Sequence, residues 1–534
     1  MLIRIVLLLI FAFFSVSGIC TAETPKSQKN TTVLQDTKRG DAGTERFIDN
    51  RDGTVLDKNT NLMWLKDANV NKSPLPWQFT HQFIQEMNSG ERPGFGYTNW
   101  RLPTVNDLEN LVDKNRLNPA LPADNSFENV QNNFYWSSST GIDLIDYIWI
   151  LDFSSGNKTI DYLSSCNFRY LWPVRNTWTS QTTKVGTVLT GGLNEHGQLG
   201  DGTMNDRTEL LPLNNLKDVV QIASGMEHSL AITADGTVWA WGRNVEGQLG
   251  IGSPGDSSVP VLVKGLWNVT AIAAGMYHSV ALRSDGTVWA WGRNSYGQLG
   301  NGTFEDGTVP IQVKQLSDVV HIASGMYHTV AAKKDGTVWT WGWNIYGQLG
   351  DGTTNNRNTP VQVKNISDGK TVTAGLHHTI VLRTNGSVWA WGWNMYGQIG
   401  DGTNEDRHAP VQVKGLNNII DVSAGLHHTV ALKSEGTVWA WGGNEYGQLG
   451  VSSTIRTSPA IMVEGINEIR KISAGMYHTI ALRSDGTIWV WGKDLKDKVE
   501  KSPAVMIRDV SKIIDIGAGK FSTIVLMESQ PEKK

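Results

Sequence analysis

A motif that recurs every fifty residues constrains the fold of this chain more than any other feature. The sequence G-[ML]-x-H-[ST]-[VIL] occurs six times, and a shortened seventh copy begins at Gly519. The sequence G-[TS]-[VI]-W-x-W-G also occurs six times, and a degraded seventh copy begins at Gly186. The repeats explain why the 534 residues include 56 Gly and 22 Trp. Two series of seven indicate seven copies of one structural unit between residues 185 and 528.

Each repeat is predicted to form four short β-strands. In the second intact repeat, the alternation of apolar and polar residues places them at Thr270–Ala274, Ser279–Arg283, Thr287–Gly292 and Val309–Val313. Asp285-Gly286 is predicted to be a two-residue hairpin turn, because glycine readily adopts the positive φ that such a turn needs. Four-stranded units repeated around an axis form a β-propeller, so the sequence predicts an all-β propeller domain.

The W-x-W motifs and the ends of the array predict how the propeller packs and closes. The two tryptophans of a motif are two residues apart on a strand, so both point to one face and are predicted to fill the wedge between neighbouring blades. The array begins with a third-strand copy, Thr187–Gly192, and ends with a second-strand copy, Thr523–Met527. One blade is therefore predicted to be built from both ends of the array, which closes the ring and removes free strand edges.

The repeat from Ala274 to Gly302, like its other copies, resembles the regulator of chromosome condensation repeat. The resemblance implies a seven-bladed propeller. It leaves the function open, because that family includes an exchange factor for the Ran GTPase, chromatin-binding proteins and a secreted bacterial inhibitor of β-lactamases.

The first residues have the pattern of a secretory signal peptide, residues 1–22. Arg4 precedes an apolar run, Ile5–Val16, and small residues precede a predicted cut before Glu23. The run is too short to span a bilayer. In a competing interpretation Cys20 is the lipid-bearing first residue of a lipoprotein, but it follows an isoleucine rather than a small residue. We expect the mature protein to be secreted, periplasmic or on the cell surface.

After signal cleavage Cys166 is the one remaining cysteine, so no internal disulfide is expected.

Composition divides the remainder of the chain into segments. The predicted segments are a flexible leader at 23–44, a first domain at 45–176, a linker at 177–184, the propeller at 185–528 and a polar tail at 529–534.

Residues 45–176 do not share the repeat and are predicted to form an α+β domain. Asp52-Gly53 predicts a hairpin between Arg46–Ile48 and Thr54–Leu56. Thr104–Asp107 is a capping box that begins a helix running to Val112. An earlier helix over Pro76–Asn88 has the apolar residues Trp77, Phe79, Phe83, Ile84 and Met87, and the later predicted strands are Phe134–Ser138, Tyr147–Phe153 and Tyr170–Val174.

Four segments of this domain resemble, in order, the C-terminal domain of a bacterial collagen-like adhesin; they are Gly96–Thr104, Tyr135–Ser138, Trp149–Gly156 and Pro173–Arg175. The resemblance implies a C-type-lectin-like fold related to the formylglycine-generating sulfatase activators, and binding to sulfated glycans or host surfaces. The chain departs from the family at Leu171-Trp172, where Val-Arg is usual. The activator relatives are enzymes with paired cysteines, and a single mature cysteine argues against that branch.

Charge and motif content disfavour several classes of function. Lys and Arg number 47 against 51 Asp and Glu, for a net charge of −4, and no segment forms the basic block that nucleic-acid binding requires. The sequence has no G-x-S-x-G, H-E-x-x-H or phosphate-loop motif. We therefore predict no catalytic residues, no cofactor, no nucleic-acid partner and no transmembrane segment, and we expect a monomer.

Two sets of residues raise the question of metal binding. Equivalent histidines in successive blades are too far apart to share one ion, which favours structural hydrogen bonds, and the adjacent pairs His377-His378 and His427-His428 point opposite ways on a strand. Acidic loops such as Asp401–Asp406 match no complete calcium loop, and turns capped by Asp or Asn explain them equally well. We predict no metal site. The repeat histidines are His228, His278, His328, His378, His428 and His478.

Positions that vary between repeats on a constant scaffold indicate a recognition face. In an up-and-down blade, the loop between strands one and two and the loop between strands three and four leave by the same face, so their variable residues gather there. Tyr, Trp, Arg and Met are enriched at protein interfaces, and aromatic rings also stack on sugars; the alternative is that these residues only close the propeller mouth. The candidate ligand-binding residues are Arg243, Arg293, Trp343, Trp393, Tyr296, Tyr346, Tyr396, Tyr446, Tyr277, Tyr327, His377, His427 and Tyr477.

These observations predict a secreted, non-enzymatic, two-domain binding protein. In this interpretation a lectin-like adhesion domain precedes a propeller that engages a protein or a glycan. The alternative is a propeller inhibitor or exchange-factor-like regulator of one partner protein, and a third possibility is a sulfatase-activator-like enzyme. By compartment and charge, the secreted inhibitor is the nearest of the propeller relatives.

Overall fold

The structure, a computed structural model, describes residues 46–60, 62–95, 97, 100–123, 125–141, 144–162, 167–176, 185–451, 457–493, 499–507 and 512–529. The predicted signal peptide and leader, Cys166, the linker at 177–184 and the tail from residue 530 lie outside these described residues. Within these ranges no helix has both the length and the apolar character needed to cross a bilayer. The described chain is mostly β-sheet, with an N-terminal domain followed by a propeller.

The N-terminal domain combines short strands with a 3-10 turn and two α-helices among its described residues. The turn is Trp77–Phe79, and the helices are α1 (Thr80–Ser89) and α2 (Val105–Leu111). The strands pair as β1-β2-β3-β9, as β5-β6-β7 and as β4-β8. They are β1 (Phe47–Asp49), β2 (Thr54–Asp57), β3 (Leu62–Leu65), β4 (Leu75–Pro76), β5 (Phe134–Gly141), β6 (Leu144–Asp152), β7 (Asn157–Tyr162), β8 (Phe168–Arg169) and β9 (Val174–Asn176).

Tryptophans dominate the core of this domain. Trp64, Trp100, Trp136 and Trp172 are each fully buried. Trp64 and Trp172 meet edge to face with their ring centres 5.4 Å apart, and the indole N–H of Trp172 donates to the carbonyl of Leu65 at 2.8 Å. These large rings give this small domain the apolar core it needs.

The predicted hairpin and capping box are confirmed. The strands β1 and β2 pair in antiparallel fashion across the turn that contains Gly53. The hydroxyl of Thr104 accepts from the backbone N–H of Asp107 at 3.0 Å, and the Asp107 carboxylate accepts from the backbone N–H of Thr104 at 2.7 Å. Helix α2 therefore begins where the sequence predicted.

Two details of the predicted domain are wrong. Residues Tyr170–Val174 are not one strand, because the segment dips into the core at Trp172 and Pro173 has no N–H to donate; only β8 and β9 on either side are strands. The helix does not begin at residue 76, because a 3-10 turn precedes α1 and changes the helical phase. Phe79 is consequently 47 % exposed instead of lying on the apolar face.

The described part of the propeller contains seven four-stranded blades. In the second repeat each predicted strand lies within two residues of its observed position, and Gly286 has the positive φ of 79° that its turn requires. The strands are Val219–Ser224, His228–Thr233, Val238–Gly242 and Ser257–Leu262 in blade 1; Val269–Ala274, His278–Arg283, Val288–Gly292 and Gly307–Gln312 in blade 2; Val319–Ser324, His328–Lys333, Val338–Gly342 and Arg357–Gln362 in blade 3; Gly369–Ala374, His378–Arg383, Val388–Gly392 and Arg407–Gln412 in blade 4; Ile419–Ala424, His428–Lys433, Val438–Gly442 and Thr457–Met462 in blade 5; Ile469–Ala474, His478–Arg483, Ile488–Lys493 and Val499–Ile507 in blade 6; and Ile513–Ala518, Ser522–Glu528, Gly186–Gly192 and Arg207–Pro212 in blade 7.

Blade 7 joins the two ends of the array, as predicted. Strand Gly186–Gly192 pairs along its whole length with Ser522–Glu528, from Gly186 opposite Glu528 to Gly192 opposite Ser522. One further pair, Gly186 with Val219, links this sheet to blade 1. The ring is thus closed by main-chain hydrogen bonds between the first and last strands of the propeller.

In five of the six W-x-W motifs only the second tryptophan is buried, whereas in blade 2 both Trp289 and Trp291 are buried. In blade 3, Trp341 is fully buried, whereas Trp339 is partly exposed beneath the Lys333 ammonium, 5.9 Å from its ring centre. The indole N–H of Trp341 donates to the carbonyl of Gln298 in the preceding blade at 2.9 Å, and the Thr329 hydroxyl donates to the same carbonyl at 2.8 Å. The two indoles of a motif therefore share one face of the strand, as predicted. The prediction that both are buried in the wedge is wrong for the first tryptophan in blade 3, Trp339.

The repeat histidines are structural. Nε2 of His328 lies 2.9 Å from the hydroxyl of Thr379 in the next blade, and the other five histidines make the equivalent contact. Burial lowers the pKa of these imidazoles, to about 4 for His228 and about 3 for His378. The histidines are therefore neutral links between successive blades.

The N-terminal domain packs against the propeller between blades 1 and 2. Trp267, in the segment that connects these blades, packs against the tryptophan-rich core of the N-terminal domain and lies 4.8 Å, ring centre to ring centre, from His81. Asn268 donates from its side-chain amide to the hydroxyl of Ser138 at 2.9 Å and to the carbonyl of Leu102 at 3.2 Å. This contact lies at the end of the blades where strands two and three join.

Candidate functional site

The opposite end of the blades carries the loops that were predicted to form a recognition face. In blade 4 the side-chain amide of Asn394 donates to the carbonyl of Thr403 at 3.0 Å, and its oxygen accepts from the N–H of Ile399 at 2.9 Å. The backbone N–H of Tyr396 donates to the side chain of Gln398 at 2.9 Å. Because every repeat except that of blade 6 has Asn and Gln at these places, the loops of those six blades are rigid supports for their variable residues.

Nine of the predicted residues form a continuous series of touching rings over blades 2 to 5, which we call the aromatic arc. Neighbouring ring centres in the arc lie 4.4 to 5.8 Å apart. The arc consists of Tyr277, Tyr296, Tyr327, Trp343, Tyr346, His377, Trp393, Tyr396 and His427. The predicted gathering of these side chains on one face is thus observed.

Rings of adjacent blades alternate within the arc. Trp343 of blade 3 lies 5.3 Å from Tyr296 of blade 2 and 4.7 Å from His377 of blade 4. Tyr346 then lies 5.7 Å from Trp393 of blade 4. The arc is therefore one surface shared by several blades rather than a set of separate loops.

The exposed tips of the same loops were missed in the sequence. Val245, Ile345 and Met395 are 61 %, 54 % and 56 % exposed, and each follows the asparagine of its loop. The signal that identifies them is the variability of this position, which also holds Ser295 and Glu445 in other blades. Most arc residues are partly buried, so the apolar tips stand out beside a supported aromatic surface.

Two predicted tyrosines lie outside the arc. Tyr446 and Tyr477 form a second cluster with Phe521, with ring centres 4.8 and 5.0 Å apart. The Lys493 ammonium lies 4.4 Å from the centre of the Phe521 ring. Phe521 was missed because its repeat is shortened, yet it occupies the position equivalent to Tyr477.

Arg243 belongs to a charged sector around blade 1. Its guanidinium donates to Glu227 at 3.1 Å and to Glu246 at 3.0 Å, and the Lys520 ammonium donates to Glu227 at 3.0 Å. These hydrogen bonds hold the pKa of Glu227 below its usual value despite the opposing effect of burial. The two cations Arg243 and Lys520 balance the two carboxylates Glu227 and Glu246. This sector is charged, whereas the arc consists of aromatic rings.

The methionines that directly follow the first glycine of the repeat lie at the centre of the propeller. Together with the equivalent leucines they line the propeller axis, where they enclose a channel of about 90 Å³. They narrow the channel rather than extend the aromatic surface. The lining side chains include Met226, Met276, Met326, Leu376, Leu426 and Met476.

Two arc residues are histidines that behave as neutral rings. Burial lowers the pKa of both His377 and His427 to about 4. His427 stacks on Tyr396 with the ring planes 9° apart and the centres separated by 4.4 Å. The arc therefore has no cationic histidine at neutral pH.

The acidic loops are explained by turn chemistry. Asp401 accepts from the backbone N–H of Thr403 at 2.9 Å and from its hydroxyl at 2.7 Å, and it also pairs with Arg407 at 2.6 Å. In the described ranges no group of three His, Cys, Asp or Glu side chains is arranged to hold a metal ion.

This geometry is that of a closed repeat propeller with a cluster of aromatic side chains at one end. Residues 177–419 match the model of the RCC1-like domain, and residues 419–448 and 435–482 match models of the regulator of chromosome condensation (RCC1) repeat. The C-terminal domain is therefore an RCC1-repeat β-propeller. Residues 53–175 match the model of the Lcl C-terminal domain.

Solved structures show the same propeller fold. Human WBSCR16 is 22 % identical with a TM-score of 0.58, and the match covers 64 % of this chain and all of that one. Prp20p from Saccharomyces cerevisiae is 22 % identical with a TM-score of 0.59, over 65 % of this chain and 93 % of that one. Yeast RCC1 (Prp20) in a structure with Kap60 is 20 % identical with a TM-score of 0.58, over 65 % and 90 % of the two chains. No curated protein matches the chain in sequence.

Proposed function

We propose that this protein is a non-enzymatic regulator that binds a partner protein through the aromatic arc of its propeller. The observation that carries the proposal is the arc itself, a supported surface of touching rings flanked by exposed apolar tips at Ile345 and Met395. Rigid aromatic side chains give a large contact area at a small cost in conformational entropy, and such residues dominate binding energy at interfaces.

Protein binding by this fold has a precedent among the similar structures. Yeast Prp20p has binding properties toward Gsp1p and histones, and Kap60 is seen bound to it. We extend to this chain only the capacity of such a propeller to bind proteins, not those partners. An inhibitor or exchange-factor-like regulator therefore accounts for the propeller better than adhesion does.

The experiment is affinity capture from the native extracellular environment of the protein with three immobilised proteins. They are the wild type, the double variant Trp343→Ala/Trp393→Ala, and a control variant, Trp389→Ala/Trp439→Ala, which loses two indoles from the opposite part of blades 4 and 5. A partner retained by wild type and control but lost by the arc variant supports the proposal. Equal retention by all three folded proteins contradicts it.

A second function, adhesion through the N-terminal domain, is favoured by the match of residues 53–175 to the Lcl C-terminal domain. In this proposal the domain is C-type-lectin-like and binds glycans. A glycan array separates the two proposals, because glycan binding that survives Trp343→Ala/Trp393→Ala belongs to the N-terminal domain. Thiol-dependent oxidation of a sulfatase peptide would instead favour the activator-like enzyme.

Export is part of the same proposal and rests on the pattern from Arg4 to Ala22. We propose that the mature protein begins at Glu23, carries no lipid and is secreted, periplasmic or displayed on the cell surface. Mass spectrometry of the exported protein tests this directly. A lipidated Cys20 would contradict the proposed cleavage, and an uncleaved cytoplasmic chain would contradict export.

A further inference from the structure

Blades 1 and 2 carry an arginine at the same position, directly after the W-x-W-G motif, but in different electrostatic surroundings. In blade 1, Arg243 lies between two carboxylates, at 3.1 Å from Glu227 and 3.0 Å from Glu246. Both carboxylates are themselves mostly buried, with side chains 11 % and 13 % exposed. The charge of Arg243 is therefore satisfied within the protein.

In blade 2 the two carboxylates are replaced by tyrosines, and the arginine is Arg293. The equivalents of Glu227 and Glu246 are Tyr277 and Tyr296. The Arg293 guanidinium lies 5.6 Å from the ring centre of Tyr277 and 5.4 Å from that of Tyr327. Its hydrogen bond within the described chain is a long one, from Nε to the hydroxyl of Ser295 at 3.3 Å.

Arg293 thus presents a positive charge that no carboxylate of the described residues balances within ion-pair distance. Two tyrosine rings hold the guanidinium by cation–π contact, which restricts it without using its outer nitrogens. Those nitrogens, Nη1 and Nη2, are the pair of parallel donors with which arginine receives a carboxylate in bidentate fashion.

The surroundings of Arg293 favour an acidic side chain of a protein over a free anion. Tyr296 lies 5.3 Å from Trp343, so the arginine stands directly at the blade 2 end of the aromatic arc. The apolar tip Ile345, 54 % exposed, belongs to the next loop. A small anion would use the charge alone, whereas a protein loop uses the charge together with the apolar surface beside it.

We propose that Arg293 is a specificity residue that receives an Asp or Glu side chain of the partner protein, next to an apolar partner side chain packed on the arc. This inference rests on the proposed function. It adds that the partner contributes a carboxylate beside an apolar anchor, and that Arg243 of blade 1, already paired, does not take this role.

The experiment selects binders from a displayed library of one small scaffold with randomised loops, using the full chain as the target. Parallel selections use wild type, Arg293→Gln, Arg293→Lys and the control Arg483→Gln. Arg483 has the same charge but lies at the opposite end of its blade, where it pairs with Glu468 at 2.7 Å. Each variant is first checked for an unchanged thermal unfolding curve.

We expect wild type and Arg483→Gln to enrich loops in which Asp or Glu neighbours an aromatic or aliphatic residue. Arg293→Gln should lose the acidic enrichment while still selecting apolar loops, and it should weaken a wild-type binder about tenfold or more. Arg293→Lys should keep part of that affinity, because it retains the charge but not the paired donors. Exchange of the charges, with Arg293→Glu and an arginine in the binder, should restore binding.

The outcomes separate failure of this inference from failure of the proposed function. If binders lose affinity for Trp343→Ala but contain no excess of acidic residues, the role of Arg293 is wrong and the arc remains a binding surface. The same conclusion follows if the acidic residues are enriched equally with Arg293→Gln as the target. If binders are indifferent to both Trp343→Ala and Arg293→Gln, or if none are selected, the proposed function fails with it.

Discussion

The guanidinium of Arg283 lies 4.7 Å from the ring centre of Trp267, where the N-terminal domain meets the propeller. Arg283 is only 2 % exposed and donates to the carbonyl of Ser138 in the N-terminal domain, and the indole N–H of Trp267 donates to the same carbonyl at 3.2 Å. One carbonyl therefore holds two residues of the propeller. The contact fixes the N-terminal domain at the end of the blades opposite the aromatic arc.

Replacement of Trp267 by serine should release the N-terminal domain. Serine is the residue that blades 3 and 4 have at this position, Ser317 and Ser367, so the propeller should tolerate it. Loss of a partly buried indole should destabilise the N-terminal domain by roughly 2–4 kcal/mol. Thermal unfolding should then show an earlier transition for this domain, and small-angle scattering should show a wider separation of the two domains.

The matched control is Asn417→Ser, the same replacement at the equivalent position of blade 5. It should change neither the unfolding curve nor the scattering profile. Identical behaviour of Trp267→Ser and Asn417→Ser would show that the domains are held together by other contacts.

The aromatic arc and the wedge tryptophans should respond differently to truncation. Trp343→Ala removes a partly exposed ring and should cost a partner about 2 kcal/mol or more, near a thirtyfold loss of affinity, with little effect on folding. Trp341→Ala, two residues earlier, should destabilise the propeller by roughly 3–5 kcal/mol, because its ring is fully buried and bonded to Gln298. Denaturant unfolding and partner titration of both variants measure the two effects separately.

An equal loss in the free energy of unfolding for Trp343→Ala and Trp341→Ala would contradict this prediction. Wild-type affinity of Trp343→Ala/Trp393→Ala for a captured partner would show that the arc is part of the scaffold. The N-terminal domain would then be the place to look for the binding site.

The propeller could be predicted from the sequence because its blades share one pattern. Asp285-Gly286 gives the turn, and the W-x-W motif gives one face of a strand. The depth of the first tryptophan could not be predicted, because it depends on packing against the neighbouring blade: Trp339 is partly exposed and Trp341 is not. Periodicity along a strand says which side a residue faces but not how far it lies from solvent.

The sequence predicted that the site residues gather on one face, but not how that face divides into an aromatic and a charged part. The rule that alternate loops leave by one face correctly brought Trp343 and Trp393 to the same end of the blades. The division between the arc and the charged sector depends on contacts across blades, as between Trp343 and His377 or between Glu227 and Lys520. The contact between Trp267 and the N-terminal domain joins distant parts of the sequence. A tryptophan where other repeats have serine or asparagine therefore did not indicate by itself that the two domains meet there.

Removal of residues 517–534 should open the propeller. The last strand, Ser522–Glu528, pairs with every residue of Gly186–Gly192, so its loss exposes a hydrogen-bonding edge inside blade 7. We expect aggregation and a lower unfolding temperature, because an unpaired edge is a template for strand addition. Size-exclusion chromatography and thermal unfolding provide the measurement.

A shorter deletion of residues 530–534 is the control, since it leaves all of these strand pairs in place. It should remain soluble with an unchanged unfolding temperature. A truncation at residue 517 that stays monomeric and equally stable would contradict closure of the ring by its two ends.

The buried histidines should make the propeller sensitive to acid. Burial lowers the folded-state pKa of His228 and His478 to about 4 and that of His278 and His378 to about 3, whereas an unfolded histidine has a pKa near 6.5. Above about pH 6.5 both states are neutral and these groups do not affect stability. As the pH falls below that value the unfolded chain binds protons first, so each histidine lowers the free energy of unfolding by about 1.4 kcal/mol per pH unit until its folded pKa is reached.

Denaturant unfolding at intervals between pH 7.5 and about 4.5 should therefore show a steep loss of stability below pH 6.5. His328→Asn should be less stable at neutral pH, because it alters the link to Thr379, but its stability should fall less steeply with acid by the contribution of one proton. The control Val330→Ala, at a fully buried position two residues away, should lower stability by a similar amount at every pH. Parallel pH profiles for the two variants would show that the buried histidines do not govern the acid response.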